Sequence, residues 1–111
     1  MTPKQVASQC VKALQRIKPK PRSITVRKAS TGRTRGWDQS YYVILDIVLS
    51  DGADVAAGIT LHVANDGNGR EASGIVQLDA KYGGVISIAR AKTSEEVIRR
   101  MMSDTVTHLS R

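Results

Sequence analysis

The chain has 111 residues and a formal net charge of +7, from 17 lysines and arginines against 10 acidic residues. Hydrophobic residues make up 41% and charged residues 24%, which is typical of one soluble domain, and no apolar run approaches the roughly 18 residues of a membrane span. One cysteine excludes an internal disulfide and a zinc site, and residues 1–7 lack the apolar centre of a signal peptide, so we expect a cytoplasmic protein without metal or other cofactor.

An amphipathic helix is predicted at each end of the chain. Thr2 and Gln5 form the pattern of a capping box around Pro3, and apolar residues at steps of three and four predict a helix from about 3 to 17. Residues 93–96 repeat the capping pattern, and the same spacing predicts a helix over about 94–109. The two apolar stripes consist of Val6, Cys10, Leu14 and Ile17, and of Ile98, Met102, Val106 and Leu109.

Five strands are predicted between the helices. Alternating or continuous apolar residues bounded by turn residues place them at about 23–28, 41–49, 55–63, 71–79 and 85–90. Short turns between successive strands favour an antiparallel meander, and two helices can cover one face of such a sheet. We therefore expect a two-layer α+β domain over residues 1–111, in the order helix, five strands, helix, with a flexible basic loop at about 29–40.

The strand at 41–49 is apolar on both faces apart from Asp46. Two helices cannot also cover the second face, and monomers rarely leave a large apolar patch in water. We expect that face to be partly buried, either against a second copy in a homodimer or beneath the basic loop folding back.

Positive charge is concentrated at the start of the chain. Residues 1–40 hold ten basic residues and one acid, whereas residues 41–111 hold seven basic residues and nine acids. A clustered positive field attracts polyanions, and arginines in a glycine-containing loop can reach phosphates. The aromatic Trp37 follows directly and can stack on a base or grip a partner. The candidate binding residues are Lys18, Lys20, Arg22, Arg27, Lys28, Arg33, Arg35 and Trp37.

Other patterns in the sequence do not predict a chemical site. Residues 67–72 match a dinucleotide-binding glycine pattern but precede a predicted strand instead of the helix that such a site requires. Residues 66–70 begin like a calcium loop, but Arg70 stands where an oxygen ligand is needed. His62 and His108 have no partner that suggests a catalytic triad, and Cys10 lies on an apolar stripe, so a nucleophile is not expected.

The sequence therefore favours a non-catalytic protein that binds nucleic acid or another polyanion through its basic segment, with no membrane as partner. One alternative is a protein-interaction module, an adaptor or inhibitor, that docks on an acidic protein surface. A second alternative is a binder of a small anionic ligand such as a nucleotide. The nucleic-acid hypothesis and the acidic-protein hypothesis can be distinguished by how affinity depends on the length of the ligand, because nucleic-acid binding tightens as the oligomer becomes longer.

Overall fold

The structure is a computed structural model that describes residues 1–65 and 70–111. One five-stranded sheet is flanked in sequence by two helices. The elements in chain order are α1 (Pro3–Leu14), β1 (Ser23–Gly32), β2 (Gln39–Val48), β3 (Asp54–Asn65), β4 (Arg70–Leu78), a 3₁₀ turn (Ala80–Tyr82), β5 (Val85–Ala91) and α2 (Ser94–Leu109). This architecture confirms the predicted α+β meander with a helix at each end.

The helix starts follow from their caps. The Thr2 side chain accepts a hydrogen bond from the Gln5 N–H, and the Gln5 side chain accepts one from the Thr2 N–H, which completes the predicted capping box. Helix α1 ends three residues earlier than predicted, yet Ile17 stays buried because the chain continues in tight turns beneath the sheet.

At α2 the predicted box is only half formed. Thr93 accepts from the Glu96 N–H, but the Glu96 carboxylate pairs with Arg99 and Arg100. Two guanidinium partners on the next turn of the helix hold this carboxylate more strongly than one backbone N–H would.

The strands pair antiparallel in the order β1-β2-β3-β4-β5. The predicted loop at 29–40 is too long, because residues 29–32 pair with residues 40–43 and extend β1 to Gly32. This extension consists mostly of small and polar residues, so no hydrophobic period marks it in the sequence. The connection between β1 and β2 is therefore residues 33–38, which we call the hairpin loop.

Both helices pack on one face of the sheet, where the core lies. Along β2 and the residue that follows it, every second side chain from Tyr41 to Leu49 faces this core and is 0–8% exposed. Cys10 and Met102 are buried in the same core, as expected from their place on the helix stripes, and so is Met101, which flanks the second stripe. The opposite face, which we call the open face, is covered by no helix of the described residues, and on β2 it carries the half-buried Tyr42 and Ile44.

The glycine pattern at residues 67–72 and the calcium-like pattern at residues 66–70 both lie partly outside the described residues. At their boundary β4 begins at Arg70 as a strand paired with β3. A dinucleotide-binding site needs a helix after the glycine pattern, and the chain forms a strand there instead. Across the described part of the chain, no helix combines the length and apolarity needed to cross a membrane.

Candidate functional site

The hairpin loop presents two arginines at one end of the sheet. The Trp37 N–H donates to the Thr34 carbonyl at 3.0 Å, which closes a turn over residues 34–37. Gly36, the third residue of this turn, has φ +91°, a conformation that side chains disfavour and that glycine adopts readily. Arg33 and Arg35 are exposed, and their guanidinium groups have no hydrogen-bond or ion-pair partner among the described residues.

Thr34, between these arginines, anchors the loop to β2. Its hydroxyl lies 2.9 Å from the Tyr42 hydroxyl and accepts a hydrogen bond from the Ser40 hydroxyl at 3.0 Å. The Tyr42 ring in turn lies against Gly32, where a Cβ would come within 2.6 Å of the ring. The loop is thus held at its centre while the arginine on each side projects into solvent.

Trp37 folds back over the open face and stacks on His62. The two ring centroids are 5.6 Å apart and the planes differ by 20°. His62 Nδ1 lies 2.7 Å from the Ser40 hydroxyl, which already donates its only proton to Thr34, so Nδ1–H is the donor of this bond. Nε2 of the neutral ring is then an acceptor.

Burial lowers the pKa of His62 below its ordinary value of 6.5, so the ring is neutral at pH 7. A neutral ring can lie flat against the indole without bringing a charge under it. The sequence pattern predicts only an ordinary polar-face residue at His62, so sequence reasoning misses its role in stacking against Trp37. One signal was present: Ser40 and His62 each lie eleven residues from Asp51, the centre of the predicted β2–β3 turn, and they are register partners.

The two tyrosines that follow the basic segment point in opposite directions. Tyr41 is 8% exposed on the core face, and its hydroxyl donates to the Met1 carbonyl at 3.1 Å. Tyr42 lies on the open face with Trp37 and His62. Strand alternation therefore assigns only one of the pair to the surface beside the arginines.

The remaining predicted binding residues are spread along the molecule. Lys18, Lys20 and Arg22 precede β1, whereas Arg33 follows it, and a strand rises about 3.3 Å per residue, so these two groups are roughly 35 Å apart. Arg22 Nε donates to the Ser50 carbonyl at 3.0 Å. The structure thus brings Arg33, Arg35 and Trp37 together and places the first three cations at the opposite end of the sheet.

Midway along β1, Arg27 and Lys28 differ in their availability. Arg27 makes a two-pronged ion pair with Asp46 of β2, and this hydrogen bonding raises the pKa of the guanidinium. Lys28 is exposed and has no side-chain partner among the described residues. Lys28 is therefore free to meet a ligand, whereas Arg27 would first have to leave its carboxylate.

A cavity of about 330 Å³ lies between the two helices, away from the hairpin loop. Its floor includes Ile98 and Met102, and Arg16 and Arg99 stand at its rim. Arg99 is already paired with Glu96 at 2.6 Å, which leaves Arg16 as the free cation of this pair among the described residues. In the same part of the chain, no three His, Cys, Asp or Glu side chains are grouped as a metal site would require.

Comparison of the chain with protein-family models, with curated proteins and with solved structures gives no match.

Proposed function

We propose that this protein binds nucleic acid through the end of the sheet formed by the hairpin loop. The observation that supports this most directly is the pair Arg33 and Arg35, which are exposed on either side of the anchored Thr34 and have no partner among the residues that the structure describes. Guanidinium groups that are not engaged within the protein offer their full set of donors to phosphate. A loop already held in place loses little conformational freedom when it binds.

The rest of the positive charge supports the same proposal by a weaker effect. Lys28 along the β1 edge and Lys18 and Lys20 beyond its start extend the positive potential over the length of the sheet. Such charges speed the encounter with a polyanion and contribute salt-dependent affinity without reading sequence. A long polyanion can contact both ends of this edge, whereas a short one would reach only the hairpin loop.

The test is binding of a fluorescent oligonucleotide by the variant R33A/R35A at several salt concentrations. Two lost phosphate contacts should weaken binding and lower the slope of log affinity against log salt by about 1.4 to 1.8. The control is K12A/R16A, which removes the same charge from two exposed positions, one on α1 and one just after it, on the helix side of the sheet. Unchanged binding in R33A/R35A, or equal losses in both variants, would contradict the proposal.

The two alternatives give different results in the same assay. An acidic protein partner would bind at one stoichiometry and would not gain affinity from longer oligonucleotides. A small anionic ligand would saturate with a mononucleotide, and the helix cavity beside Arg16 is the place to look for it. In that case K12A/R16A, and not R33A/R35A, would lose binding.

A homodimer that covers part of the open face belongs to this proposal. Ile75 and Ile88 are cross-strand partners on β4 and β5, and they are 37% and 73% exposed. An apolar pair on an uncovered sheet favours burial against a second copy. Light scattering should give about twice 12.0 kDa, falling to 12.0 kDa in Ile88→Glu; a mass of 12.0 kDa for wild type at every concentration would refute the dimer. The cytoplasm is the location that we propose.

A further inference from the structure

We infer that the nucleic acid bound at the hairpin loop is single-stranded, with one unpaired base stacked on the Trp37 indole. This inference rests on the proposed function and adds the class of nucleic acid and the residue that recognises it. Three features carry it: a preformed aromatic stack, cations beside it that have no partner among the described residues, and a surrounding sheet face on which neither α1 nor α2 packs.

The aromatic stack is already in place in the free protein. Trp37 keeps part of its surface in solvent while His62 supports it at a centroid distance of 5.6 Å. His62 is fixed by its bond to Ser40, and Trp37 by the turn that its N–H closes with Thr34. Because His62 occupies one face of the indole, the exposed part of the ring is left for a ligand to cover. A base would extend the stack from two rings to three.

The cations lie where the backbone of such a nucleotide would pass. Arg35 is two residues from Trp37, so their Cα atoms are at most about 7.6 Å apart. Gly36 between them adds no side chain. A nucleotide whose base covers Trp37 therefore has its phosphates within reach of Arg35, with Arg33 on the other side of Thr34 for the next phosphate.

The shape of the surface favours a single strand over a duplex. In a duplex the base faces are covered by their neighbours, and proteins read the edges through a groove. Trp37 is half-buried over the open face of the sheet, where it stacks on His62, and neither α1 nor α2 lies on that face to enter a groove. An unpaired base can turn its face to Trp37 at no cost in broken pairing.

The experiment uses the fluorescence of Trp37, the single tryptophan of the chain. A short oligodeoxythymidylate should quench it, whereas a duplex of equal length and heparin, a polyanion without bases, should leave it almost unchanged. In anisotropy measurements with the same labelled oligonucleotide, Trp37→Leu should weaken binding roughly 5- to 150-fold with no change in salt slope. Trp37→Phe should retain most of the affinity, and heparin binding should be the same in all three proteins.

The outcomes separate this inference from the proposed function. If R33A/R35A loses affinity for the oligonucleotide but wild-type fluorescence is not quenched and Trp37→Leu binds normally, the stacking inference is wrong and the proposed function stands. Tighter binding of the duplex than of the single strand would also overturn it. If no nucleic acid binds and an acidic protein quenches Trp37 instead, both are wrong. The quenching measurement needs no variant and so does not depend on the folding of one.

Discussion

Gly74 should be a position where one added methyl group destabilises the protein. It is buried in β4 beneath α2, and a Cβ at this position would lie 2.5 Å from Met101 Sδ, 2.8 Å from Met101 Cε and 2.9 Å from Val97 Cγ1. These distances are shorter than real carbon contacts, so Gly74→Ala must displace α2 side chains that are themselves fully buried.

The expected size follows from two opposed effects. Replacing glycine by alanine in a strand stabilises by about 0.5–1 kcal/mol, because the unfolded chain loses freedom. Forcing extra volume into a close-packed core costs about 1–3 kcal/mol. Gly74→Ala should therefore lower the free energy of unfolding by up to about 2.5 kcal/mol.

Gly58 provides a matched control on the neighbouring strand β3. It lies on the open face, and a Cβ there would meet only the Gln77 carbonyl oxygen, at an ordinary 3.7 Å. Gly58→Ala should gain about 0.5–1 kcal/mol, which places the two variants about 1–3 kcal/mol apart. Urea unfolding of both variants, followed by circular dichroism, measures this difference.

A second arm tests the packing explanation. Met101→Ala in the wild type leaves a cavity and should cost about 2–5 kcal/mol. In the Gly74→Ala background the new methyl group fills part of that space, so the same truncation should cost less. The reasoning fails if Gly74→Ala is as stable as Gly58→Ala, or if the two truncation costs are equal.

Three further predictions concern the helix cap, the stacked histidine and the cysteine. Thr93→Ala should cost about 1 kcal/mol, since it removes the acceptor for the Glu96 N–H, while Thr93→Ser should unfold at the wild-type urea midpoint. Because the folded pKa of His62 lies below 6.5, the unfolded chain binds more protons than the folded chain in the pH window below 6.5. The contribution of His62 to the free energy of unfolding is therefore fully present above pH 6.5 and is lost on acidification through that window. His62→Gln should reduce this loss between pH 6.5 and the lowered pKa, and an unchanged pH profile would count against the assignment. Burial raises the pKa of the Cys10 thiol to about 12, so a thiol reagent at neutral pH should label the protein only in urea, and rapid labelling of the native state would show that α1 is not packed as described.

Most of the fold is predictable from short-range patterns. The stripes of α1 and α2 and the alternation on β2 repeat within one or two turns, or within a few residues of strand, so the sequence exposes them directly. The turn at Asp51 and Gly52 fixes the pairing of β2 with β3, and the meander follows from similarly short connections. The end of β1 was not predictable in this way, because residues 29–32 are held by backbone bonds to β2 on one side only.

The proposed binding surface was only partly predictable. Its charge is a property of composition, and the arginines of the hairpin loop stand beside Trp37 in the sequence itself. Their distance from the other predicted cations was not predictable. A basic segment that is continuous in sequence becomes a line of cations along the β1 edge of the sheet, because an extended chain separates residues that a helix or a compact loop would bring together.

By itself the sequence determined the class of fold, the core face of each central strand and the excess of positive charge, because these depend on residue type and near spacing. Only the tertiary structure decided which cations remain available. Arg27 is engaged by Asp46, nineteen residues away, and Trp37 is supported by His62, twenty-five residues away. Such contacts depend on the register in which strands pair and on the path of a loop over the sheet. They are set by the sum of many weak interactions across the domain, and no local pattern of residues records that sum.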